Sequence, residues 1–207
     1  MSKELRVDTF YVKYIKRVMD IVAGVVFLGI IGPFLLVIAL MVKLCDGGSV
    51  FYLQERVGRN FKLFRLIKFR TMIEGADKIG PLITMENDPR ITPVGKFLRR
   101  YKLDELPQLI NVIKGDMSMV GPRPEVEKFV LLFREAYSDI LKVRPGLTDY
   151  AAIEFRNEES VIAGNEKVYV EEVLPRKIEL YYKYIQEVSF FTDLKIVFKT
   201  VWKVVFC

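Results

Sequence analysis

The chain has 207 residues, 51% of them apolar, with 32 Lys and Arg against 26 Asp and Glu and no histidine. The net charge of +6 suits an anionic partner such as lipid, nucleotide or nucleic acid, and the mean hydropathy of +0.21 points towards a membrane. The missing histidine excludes Ser-His-Asp and Cys-His catalysis and any His-ligated metal, leaving carboxylates, Lys, Arg and oxygen-ligated cations such as Mg2+. Two cysteines, Cys45 and Cys207, suggest neither a disulfide framework nor a zinc ribbon, so a reducing compartment is the default. The length suits one domain, and no repeat, low-complexity tract or linker divides it.

From Ile21 to Val42 the sequence reads "IVAGVVFLGIIGPFLLVIALMV", 22 residues without a charge. As a helix this run is about 33 Å long, enough to cross a bilayer core. A cleaved signal peptide fits poorly, because the run is too long, starts late and lacks a small-x-small site. Gly32-Pro33 interrupts its middle, where proline removes a backbone hydrogen bond and bends a helix. Cations flank both ends: Lys13, Lys16 and Arg17 before it, Lys43, Arg56 and Arg59 after it. A spanning helix calls for a one-sided bias. Symmetric flanks fit a helix that enters, bends at Pro33 and leaves on the same face, and the residues alone leave both readings open.

"SVFYLQERVGRNFKLFRLIKFRTM" predicts two short strands around Gly58-Arg59-Asn60. Phe61, Leu63, Arg65, Ile67 and Phe69 share one face, and Lys62, Lys68 and Arg70 share the other with Phe64 and Leu66. A polar loop over 74–93 follows, then helical patterns at 95–102 and 105–114, a Pro/Gly loop over 115–124 and a helix from Pro124 to Tyr137. "KVRPGLTDYAAIEF" predicts a turn plus a short extended piece, Pro145-Gly146 matching the centre of a type II turn, and 165–187 is helical. In "FFTDLKIVFKTVWKVVF", Lys195, Lys199 and Lys203 share a helical face, while Phe191, Leu194, Phe198, Val201, Trp202 and Val205 fill much of the rest. This amphipathic helix fits a membrane surface or a place on the domain core.

The chemistry concentrates in "LDELPQLINVIKGDMSMVGPRPE". With Pro107 in a first turn, Asp104 falls at or near a helix N-cap and Glu105 at the first helical position, where free N–H groups favour negative charge and phosphate. The plainer alternative makes Asp104 a simple cap, but proline at the third position has no N–H to offer it. Pro122 and Pro124 hold Arg123 on a stiff, extended backbone, so its fork engages a ligand at small entropic cost. Arg144, before Pro145-Gly146, repeats the device. For each arginine the plain alternative is a solvated loop cation.

"KFRTM", "LDELPQLINVIKGDMSMVGPRP" and "VRPGLTDYA", in this order, resemble the bacterial sugar transferase family, small phosphoglycosyl transferases that act on polyprenol phosphate. The resemblance runs over nearly the whole chain. It implies an α+β, predominantly helical fold: one monotopic membrane domain with a Pro-kinked re-entrant helix, a short β-hairpin and amphipathic interfacial helices. Residues 1–48 would form the re-entrant helix with its flanks, and 49–207 the catalytic domain with the C-terminal amphipathic helix. It also implies a location at the bacterial inner membrane with the active site on the cytosolic face. The activity implied is transfer of a phosphosugar from a UDP-sugar to undecaprenyl phosphate with Mg2+, releasing UMP and starting a membrane glycan.

On this resemblance Asp104 would be the nucleophile that holds the phosphosugar, and Glu105 would assist, both of them near the metal. Arg99, Arg123, Lys68, Arg70 and Arg144 would bind phosphate, and Pro33, Pro122 and Pro124 would hold the frame. Membrane lipid is an expected partner, nucleic acid is not, and a homodimer stays open. Two departures stand out: Gly32-Pro33 replaces the Ser-Pro common at the helix break, and "RPGLTDYAAIEF" replaces "RPGITGWAQVNG", which leaves the sugar unassigned. A membrane-anchored basic interaction protein is the alternative, but it leaves the rigidity around Asp104 and Arg123 unexplained. An aspartyl-phosphate phosphatase would call for a DxD signature, which is absent.

Overall fold

A computed structural model describes residues 5–76, 79, 88–156, 158, 162 and 165–206. Most of the polar 74–93 loop lies outside the described residues. Among the described residues the structure is predominantly helical, with two small two-stranded sheets. That matches the α+β expectation.

A wide π-turn, Tyr11–Ile15, runs into helix α1, Lys16–Asp46, which Gly47 ends in the left-handed conformation (φ 73°). Together they form a 36-residue helix, long and apolar enough to cross a membrane, with 11% of its most apolar window buried. Pro33 sits inside it. One stripe of α1 lies against the rest of the protein along nearly its whole length. Arg17 donates to Val112 O and Ile113 O, Asp20 accepts from Met119 N (2.9 Å), and Gly24 lets Ile113 approach. Further on, Ile38 and Val42 pack with Phe69 and Leu98, and Asp46 pairs with Arg70. Within each group these positions recur every three or four residues, and the 14-residue step from Gly24 to Ile38 is about four turns, which keeps them on one helical face. The other face, with Val26, Ile30, Phe34, Val37, Leu40 and Leu44, is exposed.

Strands β1 (Phe51–Val57) and β2 (Leu63–Phe69) form the expected antiparallel hairpin, with Phe51 opposite Phe69 and Val57 opposite Leu63. Both faces of β2 bury a residue, Phe69 on one and Leu66 on the one that carries Lys62, Lys68 and Arg70. Leu66 is buried against Val112 and Met117, whereas Phe61 and Leu63 are exposed. The strand period of two therefore sends Lys68, two residues from Leu66, towards the interior.

Helix α2 (Pro93–Arg100) starts two residues earlier than the hydrophobic pattern predicts. Thr92 caps it, accepting from Gly95 N at 2.9 Å, with Pro93 in the first turn. Helix α3 (Gln108–Lys114) follows a 3-10 turn over Leu103–Glu105. The helix expected over Pro124–Tyr137 is two, α4 (Glu127–Leu132) and α5 (Arg134–Ile140), broken at Phe133 (φ −119°, ψ 40°). After α6 (Tyr150–Glu154) and the short α7 (Glu166–Val168), a π segment leads into α8 (Leu174–Glu187), where Pro175 lies in the first turn. Tyr137, Ile140, Leu174, Tyr181 and Ile185 form the centre of the largest apolar core.

Of two further strands, one was not foreseen and the other falls in the short extended piece expected around Pro145-Gly146. Strands β3 (Ser118–Val120) and β4 (Gly146–Thr148) pair in parallel, Ser118 opposite Gly146 and Val120 opposite Thr148. Gly146 therefore opens a strand, its φ is not positive, and the type II turn expected at Pro145-Gly146 is absent. Glycine is needed there for room: a Cβ on Gly146 would stand 2.0 Å from Gly121 N.

The C-terminal helix α9 (Phe190–Phe206) docks by a partly polar stripe of Asp193, Ile196, Thr200 and Val204. Asp193, 7% exposed, accepts from Lys16, Tyr11 (2.7 Å) and Tyr184 (2.8 Å), tying the start of α1 to α9. Lys203 turns inward to Ile153 O, while Lys195 and Lys199 stay exposed. Phe191, Leu194, Phe198 and Trp202 form an open apolar face. The expected place on the domain core is observed, and the opposite side of the helix is apolar and open.

Candidate active site

The chain leaves α2 through Lys102, whose φ of 55° puts a non-glycine residue in the left-handed region and reverses the backbone. The tight turn that follows bonds Leu106 N to Leu103 O and Ile110 N to Pro107 O, so helical backbone begins before α3 proper. Asp104 lies inside this turn, not at a helix cap as the sequence suggests, because the lead-in turn satisfies the backbone ahead of Pro107. Asp104 is 7% exposed, and its Oδ1 is fully buried with no hydrogen-bond partner among the described residues. A capping aspartate would be bonded to a backbone N–H. This one is held in reserve.

Glu105 has the opposite surroundings. Arg123 Nη2 donates to its Oε1, and Lys68 Nζ lies 3.8 Å from the same atom. Burial pushes the Asp104 carboxyl above its ordinary pKa, helped by the negative Glu105, and the nearby Lys68, Arg99 and Lys102 only partly offset it. Burial also pushes Glu105 up, but there the charges of Arg123 and Lys68, with the Arg123 hydrogen bond, win and hold it well below the carboxylate range. The Glu105 charge raises Arg123 in turn, while burial lowers Lys68. Two adjacent carboxylates are thus driven apart: one stays ionised, and the other is a more basic, unpartnered oxygen donor.

Arg123 is placed through its backbone. Its N–H donates to Asp149 Oδ2 (3.0 Å), while Asp149 Oδ1 caps α6 by accepting from Ala152 N (2.6 Å). Asp149 is 0% exposed, and burial pushes its carboxyl up to about 6 against those two hydrogen bonds. A cavity of about 380 Å3 opens beside the turn. Phe27 and Ile31 of α1, Leu106 and Leu109 of the turn and α3, and Val197, Val201 and Val204 of α9 form its apolar wall. Lys102, Glu105, Arg123, Arg156, Glu158, Lys177 and Lys203 supply the charged groups.

A sequence model of the bacterial sugar transferases matches residues 11–207. The chain belongs to the bacterial sugar transferase family. It is similar to the exopolysaccharide production protein ExoY of Rhizobium meliloti, 41% identical over 201 residues that cover 90% of this chain and 83% of that protein. It is also similar to the UDP-glucose:undecaprenyl-phosphate glucose-1-phosphate transferase of Escherichia coli, 42% identical over 92% of this chain and 40% of that protein. A third relative is the UDP-N-acetylgalactosamine-undecaprenyl-phosphate N-acetylgalactosaminephosphotransferase of Aeromonas hydrophila, 39% identical over 91% of this chain and 43% of that protein. The chain thus spans most of ExoY but less than half of each of the other two.

Of the residues singled out from the sequence, Asp104, Glu105, Arg123 and Lys68 come together. Arg99 lies close enough for its charge to act on Asp104, and its Nε donates to Thr71 Oγ1 at 2.9 Å. Arg70 is committed elsewhere: it pairs with Asp46 at the end of α1 and, at 3.7 Å, with Glu74. Arg144 lies at the far end of α3, where its Nε donates to Gly115 O (3.0 Å). Pro122 O accepts from Gly146 N, and Pro124 O from Arg56, on either side of Arg123. Sequence reasoning missed Asp149, Glu158 and Lys177. Asp149 was findable as an N-cap before the short apolar run "YAAI"; the other two carry no local signal.

Proposed function

We propose that this protein transfers a sugar 1-phosphate from a UDP-sugar to undecaprenyl phosphate through a covalent intermediate on Asp104, starting a membrane-bound glycan. The observation that carries this is the buried, unpartnered Asp104 Oδ1 beside Glu105, with Lys68, Arg99 and Lys102 close enough to act on it. A lipid-binding surface has no use for such an atom, whereas a nucleophile needs it. The relatives named for sugar 1-phosphate transfer to undecaprenyl phosphate support the same reading.

In the first step an Asp104 oxygen forms a bond to the β-phosphorus of the donor, the bond from that phosphorus to the bridging oxygen breaks, and UMP leaves with the electron pair. In the second, a phosphate oxygen of the lipid attacks the same phosphorus and the Asp104 carboxylate is released, giving a diphosphate-linked lipid sugar and ping-pong kinetics. Arg123 and Lys68 oppose the charge on the phosphoryl oxygens and keep Glu105 ionised. Two adjacent carboxylates, one with an unpartnered buried oxygen, are a donor set that suits Mg2+, which takes few protein ligands and completes its shell with substrate phosphates. Bound there by Asp104 and Glu105, Mg2+ would neutralise diphosphate charge.

Both ends of α1 are fastened to the same body, by Arg17 and Asp20 at one end and Asp46 at the other, about 44 Å apart along the helix. This supports a re-entrant seat, with the open faces of α1 and α9 in lipid and the active site at the cytosolic surface of the inner membrane. The test is nucleotide release by the purified protein with a UDP-sugar panel, undecaprenyl phosphate and Mg2+. UMP is expected, together with an Asp104 phosphosugar adduct by mass spectrometry when acceptor is withheld. Loss on the order of 10^3-fold or more is expected in Asp104→Asn. Release of UDP, or full activity in that variant, would defeat the assignment.

A further inference from the structure

Lys177 stands in the buried stripe of α8, one turn from Leu174 and from Tyr181, where an apolar side chain is the usual occupant. It is 3% exposed, its ammonium donates to Glu158 Oε1 (2.7 Å), and it lies 4.9 Å over the Tyr169 ring. A buried pair of this kind adds little net stability compared with apolar side chains of the same size. Its position is the informative fact. Glu158 and Lys177 line the same cavity as Glu105 and Arg123, and Glu158 is near enough for its charge to act on the Arg123 guanidinium. The Glu158 side chain remains 27% exposed, whereas Lys177 behind it is almost closed off. The cavity thus has a broad apolar wall from α1 and α9 and a compact polar corner offering both donors and acceptors.

Two relatives of similar identity, 42% and 39%, are named for glucose and for N-acetylgalactosamine, so the sugar differs between relatives equally similar to this chain. The polar corner draws Glu158 from just past "RPGLTDYAAIEF", where this chain departs from the usual family form. We propose that the Glu158–Lys177 pair is the sugar-reading element of the donor site: Glu158 accepts hydrogen bonds from hydroxyls of the transferred sugar, and Lys177 holds it ionised and aimed. This rests on the phosphoglycosyl transferase reading. A carboxylate suits the task because it accepts at two oxygens and discriminates strongly against a sugar that leaves a buried acceptor unmatched.

The test measures UMP release from a panel of UDP-hexoses and UDP-N-acetylhexosamines with Glu158→Gln, Glu158→Asp and Lys177→Met. For the preferred donor, Glu158→Gln should lower kcat/KM roughly 10-fold or more, the worth of a hydrogen bond to a charged group. For poorly used donors it should fall much less, so the preference ratio collapses while the KM for undecaprenyl phosphate stays unchanged. Lys177→Met should reproduce the collapse, and Glu158→Asp should retain part of the preference. If Glu158→Gln fails to fold, the ratio is read in Glu158→Asp. An equal loss with every donor, an unaltered ratio, or a change confined to the lipid KM overturns the proposal. Absence of UMP from the unmodified protein with any donor overturns the underlying activity instead, and is seen before any variant is made.

Discussion

Asp104 and Glu105 are neighbours in sequence with opposite electrostatic fates, and the balance of two terms decides each. For Asp104 burial outweighs three nearby cations; for Glu105 a bonded guanidinium and an ammonium outweigh burial. A raised Asp104 pKa places the acid limb of kcat/KM above the ordinary carboxylate range, activity falling as Asp104 gains its proton. Glu105→Gln removes a negative charge that raises Asp104, so this limb should move to lower pH even as overall rate drops; a limb that stays put or rises would refute the coupling. Arg123→Lys keeps the charge but loses the planar fork, and should cost about 10- to 100-fold in UMP release. Much of this was legible: "LDEL" and "PRP" marked the residues, and alternation along β2 explains why Lys68 joins them. The cap reading failed because it assumed a helix starting at Asp104, whereas the 3-10 lead-in carries no local signature apart from Pro107.

Among the elements, β3 and β4 matter beyond their three residues each. Their pairing brings the Arg123 loop beside Asp149, 26 positions on, and no periodicity can show in so short a strand. The sequence therefore displayed a Pro/Gly loop, and a turn with a short extended piece, where the fold has a parallel pair. Gly146→Ala would force a Cβ to within 2.0 Å of Gly121 N, against backbone that cannot yield. It should destabilise the protein by about 2–4 kcal/mol, read as a lower Tm, with activity lost through displacement of Arg123. Helix boundaries moved for similar local reasons: Thr92 extends α2 backwards, and Phe133 divides α4 from α5.

Across the whole molecule, α1 was recognisable from composition, but its contact stripe was not, since Arg17, Asp20, Gly24 and Asp46 are scattered among apolar residues and meet partners up to 99 positions away. That stripe makes a firm topological prediction. With Cys45 and Cys207 replaced by serine, single cysteines at Asp8 and Ser49 should both react with an impermeant maleimide from the cytosolic side of sealed vesicles. Labelling from opposite sides would establish a full span.

Arg17 sits on α1, yet its guanidinium closes the final carbonyls of α3, the helix whose other end begins at the catalytic turn. On the proposed membrane seat, the seven residues of α3, about 10 Å, would link the contact with α1 to the turn that carries Asp104. The bilayer would then become part of the scaffold of the proposed active site. Detergents that tilt or strip α1 should distort the Asp104 turn before they unfold anything, so an enzyme that looks intact by circular dichroism can already have lost its geometry.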